Sequence, residues 1–149
     1  MEEITKTHDD VINEEIEQEH AFMQNPARIV SVGTTRYTEV LAIDTKGVGG
    51  ANHKYEVRMI PPNGADISEK EIYAKVKFQT GGIVEAGING CHNEDLIAIV
   101  IDRLQGFQSG EFACRENALA ITKLEEALMW LNKRTNDRIK RGVEGKSIV

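Results

Sequence analysis

The spacing of apolar residues changes period twice along this chain. In DDVINEEIEQEHAFM, residues 9–23, Val11, Ile12, Ile16, Ala21 and Met23 recur at loosely helical intervals; Asp9 or Asp10 could serve as the cap, and Pro26 closes the segment. Alternation then takes over. ARIVSV and RYTEVLAI are rich in β-branched residues, and HKYEVRMI sets Tyr55, Val57 and Met59 against Glu56, Arg58 and Ile60. EIYAKVKF places Ile72, Ala74, Val76 and Phe78 opposite Tyr73, Lys75 and Lys77, and IVEAGI follows a QTGG connection. These patterns predict five mostly antiparallel strands with one apolar face that needs cover. TKGVGG at 45–50 reads as a flexible loop between strands, and Pro61-Pro62-Asn63-Gly64 as a firm strand end.

The period lengthens again after residue 91. Asn93 is the expected N-cap of a first helix, Glu94 and Asp95 suit its positive end, and Leu96, Ile99, Val100, Leu104 and Phe107 form its apolar stripe. Gln108-Ser109-Gly110 makes a short reversal. A second helix over about 113–140 carries Ala118, Ile121, Leu124, Ala127, Leu128 and Leu131 at core spacing, and Gly142 ends it. Its length, about 40 Å at 1.5 Å per residue, exceeds what a small sheet needs, so part of it should project toward a partner chain. The expected fold is α+β: an N-terminal, mostly antiparallel sheet packed with a long C-terminal two-helix hairpin. Four segments follow: an acidic extension at 1–26, a sheet region at 27–90, a helical hairpin at 91–142 and a tail at 143–149 that could lie extended along a neighbour.

Charge sharpens this outline. Residues 1–26 hold eight acidic side chains against Lys6, and the whole 149-residue chain has a formal charge of -6, so the remainder carries about +1. Long nucleic acid is disfavoured as a partner. With no run of 18 apolar residues and an acidic start unlike a signal peptide, the expectation is a soluble cytoplasmic protein without a membrane partner. Cys91 and Cys114 lack metal-ligand spacing and read as reduced, small buried residues.

One local patch opposes the overall charge. Residues 130–141 contain five Lys or Arg against Asp137, and Trp130, Arg134, Arg138 and Arg141 recur at helical spacing. Guanidinium groups beside an indole suit a small phosphorylated ligand carrying a base. A solvated basic helix end is the alternative, and Trp130 fits core or interface as well as stacking. Phe107 either seals the hairpin or offers a stacking platform; Asn117 either reads a polar edge or bonds between helices. Gly47, Gly49 and Gly50 do not have P-loop spacing. His92, Asn93, Glu94 and Asp95 are more simply a helix start than an acid–base cluster, and no nucleophile and base are arranged for hydrolysis.

The stretch NGCHNEDLIAIVIDRLQGFQSGEFACRENALAITKLEEALMWLNKRTNDRIKRGVEG closely resembles the C-terminal helical hairpin shared by phage Thoeris anti-defence sponges and anti-CBASS cyclic-nucleotide sponges. GGANHKYEV and FQTGGIVEAGING upstream make the first group the better match, over roughly 27–149. The resemblance implies a non-enzymatic protein without cofactor or metal, acting in the host cytoplasm. It would sequester cyclic ADP-ribose isomers such as glycocyclic ADP-ribose, with cyclic di- or trinucleotides at separate sites in some members, and self-associate as a dimer or hexamer. It further implies Phe107 as an adenine-stacking surface near Asn117 and Arg134, with Arg138 for phosphate, in the same or a separate site, and Arg115 and Arg141 as weaker ligand candidates. A nucleotide-degrading enzyme and a protein-binding structural module are the competing readings.

Overall fold

The computed structural model describes residues 27–33, 36–61 and 71–148. The helix expected over 9–23 and the turn at Pro62-Asn63-Gly64 lie outside them. The α+β class is as expected, and the described chain divides into two compact units between Lys77 and Phe78.

The first unit is a four-stranded antiparallel sheet in the order β1 (Arg28–Ile29), β2 (Thr38–Ala42), β3 (Lys54–Met59) and β4 (Ile72–Lys77). Val40 pairs with Val57 and Ala42 with Tyr55, which collects β-branched and aromatic side chains on one face. Ala42 is buried on that face, and Leu41, paired with Glu56, is buried on the opposite one. The opposite face buries charge: Glu56 is only 6% exposed, and its Oε2 accepts from Arg58 Nε at 2.7 Å. That pairing makes burial of the carboxylate tolerable. A register shift between Val57 and Arg58 lets Tyr73 bulge out of β4.

The TKGVGG loop is more ordered than its composition suggests. A single 3-10 turn, Val48–Gly50, includes positive-φ residues at Gly49 and Gly50. Asp44 fastens its base by accepting from His53 N–H at 2.9 Å and from Asn52 Nδ2 at 3.2 Å. Burial pushes the Asp44 carboxyl up, but these donors and the Lys54 backbone outweigh it and hold the group below its usual range.

In the second unit, IVEAGI is not a fifth strand. Ile83–Ala86 forms α1, a single helical turn between Gly82 in an extended conformation and Gly87 at φ 68°. The glycines allow both ends to turn sharply, which overrides the β-branched composition. Side chains then replace the expected hairpin ladder. Thr80 N–H donates to Asn89 Oδ1 and Asn89 N–H to Gln79 Oε1, at 2.8 and 2.9 Å. α2 (Asn93–Gln108) and α3 (Arg115–Lys140) follow as an antiparallel pair. The N-cap of α2 is His92, one residue before the expected Asn93, because Asp95 Oδ2 reaches back to His92 N–H at 2.8 Å.

The helix seam corrects the expected stripe. Ile97, Ile101, Leu104 and Gln108 of α2 are half-buried, as are Ile121, Leu124, Leu128 and Leu131 of α3. Val100 and Phe107, expected in that stripe, are exposed instead, and Ile99 is 63% exposed. α2 is thus apolar on two faces, and period alone could not choose between them. Neither helix has a fully buried residue. Both cysteines are free, yet Cys114 is exposed and Cys91 only half-buried, unlike the buried pair expected.

Two glycine substitutions separate close approach from helix propensity. At Gly90 a Cβ would meet the Phe78 carbonyl oxygen at 2.5 Å and Gln79 N at 2.7 Å, whereas at Gly106, inside α2, it meets open space. Gly90→Ala should destabilise the protein by about 1–3 kcal/mol, and Gly106→Ala should stabilise it by about 0.5–1 kcal/mol. Urea unfolding midpoints that move in the same direction for both would contradict this account.

Candidate functional site

The expected ligand residues gather at opposite ends of the long helix. At the hairpin tip, Phe107 ends α2 and its ring meets Phe112 edge-on, with centroids 6.3 Å apart and planes at 75°. Phe107 is 36% exposed, so the ring closes the tip and still presents surface. Arg103, one turn earlier, sets its guanidinium carbon 4.9 Å from the Phe107 centroid. Cys114 caps α3 by accepting Asn117 N–H at Sγ, 3.4 Å away, while its own N–H donates to Gln108 Oε1 at 2.8 Å. Half-buried Asn117 makes a long 3.5 Å contact from Nδ2 to the Phe112 carbonyl. Its Oδ1 accepts nothing among the described residues. Arg115 sits on the first turn of α3, exposed and without an ion pair among the described residues.

The other end holds Trp130, Arg134, Arg138 and Arg141. Trp130 is 59% exposed, which rules out a place in the protomer core. Arg134 is exposed and has no hydrogen bond or ion pair among the described residues. Lys133 binds Asp137 at 2.7 Å, and chiefly through that bond it holds the Asp137 carboxyl below its ordinary range. Arg141 caps the helix and adds a weaker electrostatic pull on the same carboxylate.

Arg138 is engaged differently from the phosphate contact expected of it. The tail does not run out extended; Gly142, at φ 69°, turns it back over the helix end. Arg138 Nη2 then donates to the carbonyls of Val143 at 2.9 Å and Lys146 at 2.7 Å, Nη1 donates to Ile148 at 2.9 Å, and Nε to Glu144 Oε2 at 3.2 Å. Its side chain is 15% exposed. The returning tail also docks on α1: Val84 N–H donates to the Gly145 carbonyl at 2.8 Å, and Ser147 Oγ donates to Glu85 Oε2 at 2.6 Å.

Asn117 and Arg134 are seventeen residues apart on one straight helix, which is about 26 Å along its axis. No compact ligand spans both in a single chain. Nor do the main surface depressions join them. One follows α3 itself past Glu125, Met129, Asn132 and Lys133, and another lies on the sheet around Arg36, Tyr37 and Tyr73. Among the described residues no group of three or more His, Cys, Asp or Glu gathers to hold a metal. His92 and Asp95, the acid–base pair considered from sequence, are occupied in starting α2. Sequence reasoning missed two further parts of this region: Arg103 on the Phe107 ring, and Phe112 against it. Their i, i+4 spacing and their place across the tip were the available signals.

Among the described residues, no helix is long and apolar enough to cross a membrane. Residues 70–136 match the family described as Acb2/Tad1, hairpin domain. A protein of Bacillus phage SBSphiJ7 named Thoeris anti-defense 1 is 71% identical over 72 residues, 48% of this chain and 51% of that relative. The chain thus spans about half the length of the curated relative it matches.

Two measurements test the tail. Arg138→Ala removes donors to four tail acceptors and should lower stability by about 1.5–3 kcal/mol, with faster amide exchange at Gly145 to Ser147. Ser147 holds the Glu85 carboxyl below its usual 4.5 by donating from hydroxyl and backbone. Tail docking should therefore be complete above pH 4.5 and weaken as acid protonates Glu85 below that value. A Ser147 amide resonance that stays constant through the titration would refute the link.

The match over 70–136 spans β4, α1, α2 and all but the end of α3, so over that segment the chain is similar to the Acb2/Tad1 hairpin domain, in line with the resemblance noted in its sequence.

Proposed function

We propose that this protein is a phage anti-defence protein that binds cyclic ADP-ribose isomers, glycocyclic ADP-ribose among them, in the host cytoplasm and withholds them without degrading them. The observation that carries the reading is the 71% identity over 72 residues to a relative named for Thoeris anti-defence, beside the hairpin-domain match over 70–136. The chemistry of the two helix ends agrees with it. Phe107 supplies a stacking surface, Asn117 a free acceptor near it, and Arg134 an unneutralised guanidinium suited to phosphate. Capture of a diphosphate needs no nucleophile, only donors and exclusion of water.

The pocket is completed by a second copy of the chain. Two hairpins paired antiparallel bring the Phe107 and Asn117 end of one against the Arg134 end of the other, and twofold symmetry makes two such sites. The open face of α2, with Ile99 and Val100, and the exposed Leu119, Met129 and Trp130 of α3 supply apolar surface for that pairing. Dimers of this kind can build a hexamer. Arg115 and Arg141 are exposed further ligand candidates, while Arg138, expected for phosphate in this or a separate cyclic di- or trinucleotide site, serves the tail.

The direct test incubates protein with glycocyclic ADP-ribose, removes the free pool, heat-denatures and identifies what is released by mass spectrometry. Unchanged ligand at no more than one equivalent per site is expected; products beyond one equivalent would mean an enzyme. Arg134→Ala should weaken binding about tenfold to a hundredfold, the worth of a charge-assisted contact, without changing the assembly's mass. Phe107→Ala and Asn117→Ala should weaken it from the other half of the site. Co-expressing Phe107→Ala with Arg134→Ala chains should restore on the order of one quarter of the sites, because a twofold pairing of unlike chains regains one intact pocket. No restoration would place the pocket within one chain.

A further inference from the structure

Arg103 has an environment that its charge does not explain. Its helical neighbours at three and four residues are Ile99, Val100, Gly106 and Phe107, none of them acidic. Among the described residues it makes no hydrogen bond or ion pair, and its one recorded interaction is with the Phe107 ring at 4.9 Å. The cation is therefore fixed to an apolar face, the same open face of α2 that carries Ile99 and Val100.

Two consequences follow from that position. Covering this face would strip water from a guanidinium that has no carboxylate partner among the described residues, which is costly unless an anion arrives with the cover. Within one protomer Arg134 stands about 26 Å along the helix from the tip, so the cations on the Phe107 side of a ligand seated there are the tip's own, beside any Arg134 that a second copy brings. Arg103 is the one already resting on the ring that the ligand's base would use.

We propose that Arg103 is a further ligand-contacting residue, whose guanidinium lies beside the base stacked on Phe107 and binds a phosphate oxygen of the same molecule. The inference rests on the nucleotide-binding reading above and adds a specificity. A ligand joining base to phosphate compactly satisfies ring and cation together, whereas a base without phosphate leaves Arg103 unpaired. The planar fork can leave the ring and keep its charge over the same spot, so no backbone movement is needed.

The test titrates wild-type protein, Arg103→Ala and Arg103→Lys with glycocyclic ADP-ribose by calorimetry at several salt concentrations, with light scattering on each sample. Arg103→Ala should bind at least tenfold more weakly and show a shallower loss of affinity with salt, because one phosphate contact is gone. Arg103→Lys should recover the salt dependence but only part of the affinity. Assembly mass and urea midpoint should not change. Wild-type affinity in Arg103→Ala would overturn the assignment while leaving the functional reading intact. So would a loss of affinity accompanied by a changed mass or midpoint, which would make the residue structural. Failure of the wild-type protein itself to bind would remove both the reading and the inference.

Discussion

Two helices laid side by side can cover only one seam of each other, and that limit governs the C-terminal half of this molecule. α2 and α3 bring Ile97, Ile101 and Leu104 against Ile121, Leu124, Leu128 and Leu131, and even these remain half-exposed. Many other apolar side chains of the pair are left exposed, among them Ile99, Val100, Leu119, Met129 and Trp130. Burial of that kind contributes about 25 cal/mol for each Å² withdrawn from water, and the hairpin leaves much apolar surface on which a cover could draw. The same limit fixes the chemistry. A straight helix keeps its two ends apart, and a site that draws on both ends has to be assembled from more than one copy.

Within the protomer, stability at the margins comes from polar bonds. The stretch 79–89 around α1 is held by the reciprocal bonds of Gln79, Thr80 and Asn89, and the hairpin tip by Cys114 and Gln108. In the sheet unit, Glu56 and Arg58 satisfy each other next to Leu41, so a charged pair occupies part of a small core. Among the described residues, no buried side-chain nitrogen or oxygen is without a partner.

Much of this was legible in the amino-acid order, for reasons that also explain the errors. The four strands and both long helices follow from the alternation of HKYEVRMI and EIYAKVKF and from the period of 93–140, since period and side-chain direction are local properties. IVEAGI was misread because its composition favours strand while the glycines on either side decide otherwise. The stripe on α2 was misassigned because the helix offers two apolar faces, and the choice between them belongs to tertiary packing. At the candidate site, residue types and helical spacing offered Phe107, Asn117 and Arg134 as candidates, and only the family resemblance grouped them. They could not reveal that Arg138 was engaged: its partners are mostly carbonyl oxygens, and main-chain acceptors leave no trace in a sequence.

That last feature also governs how freely the tail can drift. Arg138 grips Val143, Lys146 and Ile148 by their peptide oxygens, so the identities of those three side chains are nearly irrelevant to the grip. Gly145 is the opposite case, because it sits at φ 74° and any Cβ there would meet Val84 Cγ2 at 2.9 Å. Divergent copies of this tail should thus vary at those three places around one invariant small residue, a pattern that resembles a loose, unselected segment although the backbone beneath it is held.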